Sequence, residues 1–177
     1  MKLNFKIVKS NIFFKGKVFD LKVDEIQYDS GNKGIREVAL HNGGAVVLPI
    51  TDDGKIIFVK QYRYPLDKFI FELPAGKLET NEDPLVCATR ELKEEVGCSA
   101  KQIEKLGRIC TTPGFCTEIL HIYKATGLTF GDTAREEGEY GMEIFYFTVE
   151  EVKKMIRNGE IYDAKSICGI NYLLLKS

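Results

Sequence analysis

Residues 1–17 alternate between apolar and charged positions, a pattern typical of β-strands, and residues 18–28 are mixed in pattern but strand-like. The segments 18–28 and 34–40 are separated by Ser30-Gly31-Asn32, which has the composition of a turn. The N-terminal part of the chain is therefore predicted to consist of strands.

More strands are predicted in the segment that follows. The apolar runs 45–50 and 55–62 flank Asp52-Asp53-Gly54, a composition that indicates a β-hairpin. A shorter apolar run at 69–73 predicts one further strand.

The spacing then changes to that of a helix. Asp83 and Pro84 are typical of the first positions of a helix, and Gly97 is typical of the residue that ends one. The apolar face of this helix comprises Leu85, Ala88 and Leu92.

Strands and helices continue to the end of the chain. Strands are predicted at 106–112, 120–125 and 143–147, with a polar loop at 131–139. Thr148 and Glu151 have the spacing of a capping box, so a helix begins there and ends at Gly159, and a last helix covers about 163–174. Strands with helices packed on them predict a mixed α+β fold.

Composition and charge argue against several classes of function but do not identify one. The chain has 177 residues, 25 basic and 26 acidic, for a net charge of −1, so neither a nucleic-acid partner nor a membrane surface is expected. No apolar stretch reaches membrane-spanning length and the N-terminus lacks an apolar signal core, which favours a cytoplasmic protein. The five cysteines form no CxxC pair and the two histidines complete no zinc spacing, so we interpret both residue types as structural.

The predicted helix that ends at Gly97 also has an acidic face. Glu91, Glu94 and Glu95 stand at i, i+3 and i+4, so they share this face and repel one another. A divalent cation among them would offset that cost, and hard cations such as Mg²⁺ take oxygen ligands and suit phosphate chemistry. A solvated acidic face is the alternative interpretation of these three residues alone.

A longer pattern around this helix resembles the Nudix hydrolases. The family box is a glycine, five residues, a glutamate, seven residues, Arg-Glu, an aliphatic, any residue, Glu-Glu, any residue, glycine and an aliphatic. The chain has these residues at Gly76, Glu82, Arg90, Glu91, Leu92, Glu94, Glu95 and Gly97. Cys98 replaces the final aliphatic residue, and cysteine behaves as a small hydrophobe.

The resemblance implies a fold and a division of the chain. It implies an α/β/α sandwich with a mixed sheet and an N-terminal antiparallel strand extension. Residues 1–40 would be a strand region suited to dimerisation and 41–177 the catalytic domain, and the branch described below often forms homodimers.

The resemblance also implies a metal site. Glu91 and Glu95 are expected to bind Mg²⁺, or Mn²⁺ in its place, together with the backbone carbonyl of Ala75. Glu94 supplements them directly or through water. Arg90 is expected to orient a glutamate, Glu82 to have a similar structural role in the loop, and Gly76 to allow a tight turn of the backbone near the metal.

Outside the box, the chain is similar to the ADP-ribose pyrophosphatases. That branch has a proline fifteen residues after the box, which here is Pro113, followed by Gly114 and Phe115. The resemblance implies that these three residues lie beside the substrate and contact it. An ordinary Pro-Gly turn is the alternative interpretation. Further shared segments are Arg36-Glu37-Val38, Gln61-Tyr62-Arg63-Tyr64-Pro65, Phe71-Glu72-Leu73-Pro74 and Tyr162-Asp163-Ala164-Lys165.

Three of these segments carry implied substrate contacts. Arg36 and Arg63 suit phosphate or ribose because of their rigid fork of donors, although each could be a surface or sheet-edge charge instead. Glu72 could hydrogen-bond a base or ribose, but a buried ion pair competes with that role. In the loop before the strand at 143–147, Glu137 is expected to be the general base and Glu139 a metal or supporting ligand, with a solvated acidic loop as the alternative.

The function that the resemblance implies is metal-dependent hydrolysis of ADP-ribose to AMP and ribose 5-phosphate. A different nucleoside diphosphate sugar, such as GDP-mannose, is the first alternative. A module that senses ADP-ribose without cutting it is the second, but such modules usually lack the box acids that are intact here.

Overall fold

The structure is a computed structural model that describes residues 4–133 and 141–176. Its strands are β1 (Phe5–Lys15), β2 (Asp20–Tyr28), β3 (Lys33–Leu40), β4 (Gly44–Pro49), β5 (Ile56–Arg63), β6 (Lys68–Glu72), β7 (Ala75–Lys77), β8 (Cys98–Cys110), β9 (Ile119–Phe130) and β10 (Glu143–Phe147). Its α-helices are α1 (Pro84–Val96), α2 (Val149–Arg157) and α3 (Ala164–Leu175). Within the described residues, no helix is both long and apolar enough to cross a membrane.

The chain divides into two compact units. The first comprises Met1–Gly43 and Cys110–Ile119, and the second comprises Gly44–Ile109 and Leu120–Ser177. In the first unit, β1, β2 and β3 form an antiparallel sheet in that order, which confirms the predicted N-terminal strand extension. The segment from Cys110 is tied to β3, because the N–H of Ala39 donates to the carbonyl of Phe115 at 2.7 Å.

The second unit contains two sheets. One has the order β7-β4-β9-β8 and is mixed, since β4 runs parallel to β9 and antiparallel to β7. The other has the order β10-β5-β6 and is antiparallel.

The predicted hairpin of 45–50 and 55–62 is wrong in its pairing. The turn forms, with the N–H of Gly54 donating to the carbonyl of Thr51 at 2.9 Å. Beyond it, a single bridge joins Ile50 to Ile56, and β4 and β5 then enter different sheets. Both strands are apolar on two faces, so other apolar elements can pack on both sides of each strand. The composition of the local turn could therefore not decide which strands β4 and β5 pair with.

The core of the second unit lies on both sides of these strands. Along β4, Ala45 and Val47 pack in one apolar cluster, which includes Ala88 and Leu92 of α1. The alternate residues of β4 pack in a second cluster, which includes Val152 of α2 and Ile170 of α3. This arrangement, with helices on opposite sides of strands, confirms the expected α+β sandwich.

The helix ends follow the local signals. Asp83 caps α1 by accepting from the N–H of Leu85 at 2.8 Å, and Gly97 ends the helix at a φ of 72°, a left-handed conformation that favours glycine. Thr148 and Glu151 form the predicted capping box of α2.

Candidate active site

Helix α1 holds two buried carboxylates against the short strand β7. Glu91 and Glu95 lie one turn apart and are 5% and 3% exposed. The N–H of Ala75 donates to Glu95 Oε2 at 3.1 Å, and the carboxylate of Glu91 lies directly beside Gly76. The structure therefore brings together four residues that the box places far apart in sequence.

Gly76 is needed for a reason that differs from the sequence-based expectation. We expected a tight turn, but Gly76 lies in β7 and does not have a positive φ. A Cβ built there would lie 1.7 Å from Glu91 Oε1 and 2.1 Å from Glu91 Cδ, far inside any permitted contact. The missing side chain is thus the space that the Glu91 carboxylate occupies.

Arg90 joins the remaining acids of the box. Its Nη1 donates to Glu91 Oε1 at 2.6 Å and to Glu94 Oε2 at 2.9 Å, and its Nε donates to Glu82 Oε1 at 3.1 Å. The hydrogen bond with Glu82 is the main reason that the pKa of Arg90 is raised, and the same bond lowers the pKa of Glu82. One guanidinium therefore fixes the positions of three carboxylates.

A second charged group lies at the end of β6. Glu72 is 1% exposed, and Arg63 donates to it through Nε and Nη2, both at 2.6 Å. Lys165 Nζ also donates to Glu72 and lies 3.1 Å from Asp163. Burial acts to raise the pKa of Glu72, but the bonds from Arg63 and the charge of Lys165 outweigh it, so the pKa lies below its ordinary value. This geometry matches the buried ion pair that we considered for Glu72.

Helix α3 also anchors the segment that leads into the site. Asp163 caps the helix and accepts from Ser166 Oγ at 2.6 Å, and Ser166 Oγ accepts from the N–H of Leu73 at 2.7 Å. The segment containing Asp163 and Lys165 is shared with the ADP-ribose pyrophosphatases, but no contact of either side chain was predicted from the sequence. The capping preference of Asp163 was a usable local signal, whereas nothing local indicated a contact 93 residues away.

The other predicted substrate contacts lie in the first unit. Arg36 Nη2 donates to the hydroxyl of Tyr28 at 2.6 Å, and the guanidinium lies 5.9 Å from the centre of that ring. Residues 113–115 form a turn in which the N–H of Phe115 donates to the carbonyl of Thr112 at 3.1 Å. Pro113 and Gly114 belong to this turn. Glu137 and Glu139 lie outside the described residues.

Comparison with known proteins identifies the family to which the chain belongs. A family model described as the NUDIX domain matches residues 40–167, which is most of the chain. The chain belongs to the Nudix family. The predictions of a Nudix fold and of a Nudix pyrophosphohydrolase are thereby confirmed.

Relatives of this Nudix chain carry several names. An ADP-ribose pyrophosphatase of Bacillus subtilis (strain 168) is 43% identical over 98% of this chain and 95% of its own length. A methanol dehydrogenase activator of Bacillus methanolicus is 41% identical over 97% and 93%, and a GDP-mannose pyrophosphatase of Cronobacter sakazakii is 29% identical over 99% and 98%. A solved structure described as an ADP compounds hydrolase has a TM-score of 0.85 at 17% identity, over 97% of this chain and 92% of that one, and supports the fold.

The residues of the box fit a divalent metal, which Nudix hydrolases generally use. Carboxylate and carbonyl oxygens are the hard donors that such ions prefer, and the carboxylates of Glu91 and Glu95 are of this kind and lie against residues 75–76. Over residues 4–133 and 141–176, no group of three or more His, Cys, Asp or Glu side chains is arranged to hold a metal ion. Of the expected carboxylate ligands, Glu91, Glu95 and the supplementary Glu94 are described residues, and Glu139 is not.

Proposed function

We propose that this Nudix enzyme hydrolyses ADP-ribose to AMP and ribose 5-phosphate. The observation that carries the proposal is the pair of buried carboxylates, Glu91 and Glu95, held against residues 75–76 by α1. The relative that is 43% identical over nearly its whole length supports ADP-ribose as the substrate.

The metal in this proposal is Mg²⁺, with Mn²⁺ as a substitute. Glu91, Glu95 and the carbonyl of Ala75 would hold it, with Glu139 as a further ligand. When bound, such an ion neutralises charge on the diphosphate and lowers the pKa of a bound water. The roles of the protein groups are to fix the two carboxylates and to keep their orientation.

Two further glutamates and one arginine complete the proposed catalytic set. Arg90 holds Glu91 and Glu94 in place through its Nη1, so it would act as a positioning residue. Glu94 would reach the metal through water. Glu137 would be the general base that accepts the proton of the attacking water.

Arg63 is the proposed phosphate contact for which the structure gives the clearest support. Glu72 receives Nε and Nη2 of Arg63, which fixes the plane of the guanidinium and leaves the Nη1 edge for an anion. Its side chain is 39% exposed, so solvent and ligand can reach it. Arg36, Glu72 and the turn at 113–115 remain proposed contacts for the rest of the substrate.

A GDP-linked hexose is the second candidate substrate. The full-length relative described as a GDP-mannose pyrophosphatase favours it. The deciding experiment is a panel of ADP-ribose, GDP-mannose, UDP-glucose, NADH and dinucleoside polyphosphates, each with Mg²⁺ and with Mn²⁺, in which products are separated by chromatography. AMP from ADP-ribose at the highest kcat/KM supports the proposal. GDP-mannose as the best substrate selects the second candidate, and tight binding of ADP-ribose without turnover of any substrate indicates a sensing module.

We also propose a homodimer that uses the N-terminal sheet. The first unit exposes large apolar side chains, among them Phe13 at 68% and Val18 at 62%, and exposed apolar patches commonly mark interaction surfaces. Light scattering should give twice the mass of the chain, and Phe13→Lys should shift it toward the monomer. A monomeric wild-type protein at working concentration contradicts this proposal.

The cytoplasmic location stays a prediction, which cell fractionation would test.

A further inference from the structure

The side-chain amide nitrogen of Gln61 is buried and has no hydrogen-bond partner among the described residues. Buried polar atoms without a partner are rare in folded proteins, and in the described part of the chain Gln61 Nε2, Thr111 Oγ1 and His121 Nδ1 are of this kind. The amide nitrogen of Gln61 carries two N–H donors. Leaving such a group buried without a partner is unfavourable, so the side chain needs an explanation.

The position of Gln61 connects it with the proposed phosphate site. Alternate residues of a strand share one face, so Val59, Gln61 and Arg63 of β5 lie on the same face. Val59 is fully buried in the core, and Arg63 is bound to Glu72. Gln61 therefore stands at the point where the apolar core gives way to charged groups. Its neighbour on β6 is the buried Ile70, which has no acceptor in its side chain.

Arg63 also connects this face with the metal-binding helix. The hydrogen bonds with Glu72 are the main reason that the pKa of Arg63 is raised, and the negative charge of Glu95 acts in the same direction. Arg63, which shares this face with Gln61, is therefore close enough to the Glu95 carboxylate for the two charges to interact.

We propose that Gln61 donates a hydrogen bond to an oxygen of the substrate diphosphate, beside the oxygen that Arg63 binds. Because the unused atoms of Gln61 are donors, the missing partner is an acceptor, and phosphoryl oxygens are strong acceptors. Residues two apart on a strand are separated by about 7 Å, and side chains of this length can converge on one diphosphate group. This inference rests on the proposed hydrolysis of a nucleoside diphosphate sugar and adds a residue that determines its affinity.

A purely structural role for Gln61 makes the opposite prediction about stability. An amide that only fills space at the edge of the core would be replaced by an apolar side chain of similar length with no effect on ligand binding. An amide whose donors are paired only when a ligand is bound lowers the stability of the free protein. Replacing this amide should therefore stabilise the fold and weaken ligand binding. This opposition between stability and affinity is what separates the two roles.

The test uses Gln61→Met, which keeps the length of the side chain and removes the donors. Binding of ADP-ribose is measured by calorimetry in EDTA, which stops turnover, and thermal unfolding is measured without ligand. We expect binding about 10- to 100-fold weaker than in the wild type and a melting temperature about 2 to 4 °C higher. The affinity for ADP should fall by the same factor, whereas the affinity for adenosine, which lacks phosphate, should not change.

Two further variants complete the test. Gln61→Glu has the same shape but places a negative charge beside the diphosphate, so it should bind ADP-ribose at least as weakly as Gln61→Met. Gln102→Leu removes an exposed glutamine from β8 and should bind like the wild type. Wild-type affinity in Gln61→Glu overturns the proposal even if Gln61→Met fails to fold, and so does an equal loss of affinity for ADP and adenosine. A wild-type protein without activity on any diphosphate sugar would instead refute the proposed function.

Discussion

Gly76→Ala should slow the reaction about 100-fold while leaving the fold largely intact. The added Cβ would lie 1.7 Å from Glu91 Oε1 and 2.6 Å from Glu91 Oε2, whereas real Cβ atoms essentially never come within 3.0 Å of a neighbour. The carboxylate must therefore move by about 1.3 Å or more. The atoms in the way are the end of a side chain, so Glu91 can move without a rearrangement of β7.

The movement has two consequences of known size. A misplacement of about 1 Å at a catalytic group can lower the rate about 100-fold, so kcat for ADP-ribose should fall by about that factor. The shift also breaks the 2.6 Å bond from Arg90 and crowds the core side of α1, which should lower the free energy of unfolding by about 1–3 kcal/mol.

The measurement is the initial rate at saturating ADP-ribose with Mg²⁺, together with urea unfolding of both proteins. The matched control is Gly131→Ala, since among the described residues a Cβ there would have only the carbonyl of Gly97 within reach, at 4.0 Å, and it should keep wild-type activity. If Gly76→Ala retains kcat within about threefold of the wild type, then the position of the Glu91 carboxylate does not control the reaction.

Three further changes test the charged groups. Glu95→Gln should abolish turnover with a much smaller loss of stability, because the amide oxygen can still accept from the backbone but no longer carries charge; unchanged hydrolysis would remove Glu95 from the metal site. Arg90→Met should lower the free energy of unfolding by about 3 kcal/mol in urea, because Glu91 stays buried without this cation, and an unaltered midpoint would contradict that reasoning. Lys165→Met should make the protein more sensitive to acid. In the folded protein the pKa of Glu72 lies below its ordinary value of 4.5, so ionised Glu72 stabilises the fold fully above pH 4.5, and this stabilisation is lost as the pH falls through the folded pKa. Removing the charge of Lys165 raises the folded pKa of Glu72. Acid unfolding followed by circular dichroism should then occur at higher pH, and identical curves would contradict the role of Lys165.

Local sequence signals predicted the helices well. The start of α1 at Asp83 and Pro84, its end at Gly97, and the capping box of α2 all depend on residues within a few positions of one another. A side chain that satisfies a backbone N–H two or three residues away can be identified from sequence alone, because the distance in sequence fixes the distance in space.

The pairing of strands depended on contacts that local sequence does not contain. The turn at 52–54 was identified, but β4 pairs with β7 and β9, which follow it by more than twenty residues in the chain. Strand β8 also begins at Cys98, eight residues before the predicted strand, because its first half is polar enough to obscure the alternation. Long-range partners decided both cases.

Some residues of the candidate site were likewise predictable from local spacing, and others depend on long-range packing. The box identified Glu91, Glu95 and Gly76 by their spacing, although the physical role of Gly76 emerged only from its contact with Glu91. The ion pairs of Glu72 with Lys165, and the unused donors of Gln61, result from packing between elements that are distant in sequence. The alternation of Gln61 with Arg63 on one strand was the available clue.

A single short segment links the two charged groups of the second unit. From the last residue of β6 to the second residue of β7, each residue of 72–76 makes a different contact. Glu72 binds Arg63, the N–H of Leu73 donates to Ser166, and the carbonyl of Pro74 accepts from Val47. The N–H of Ala75 donates to Glu95, and Gly76 lies against Glu91. The proposed phosphate-binding arginine and the proposed metal-binding carboxylates are thus fixed to the same five residues. Their separation is set during folding, before any substrate binds. Substrate binding therefore does not lose the conformational entropy of ordering these side chains. Groups held at a fixed spacing in this way suit the diphosphate that we propose as the reacting group, because its charge and its cleaved bond lie within a few ångströms of each other.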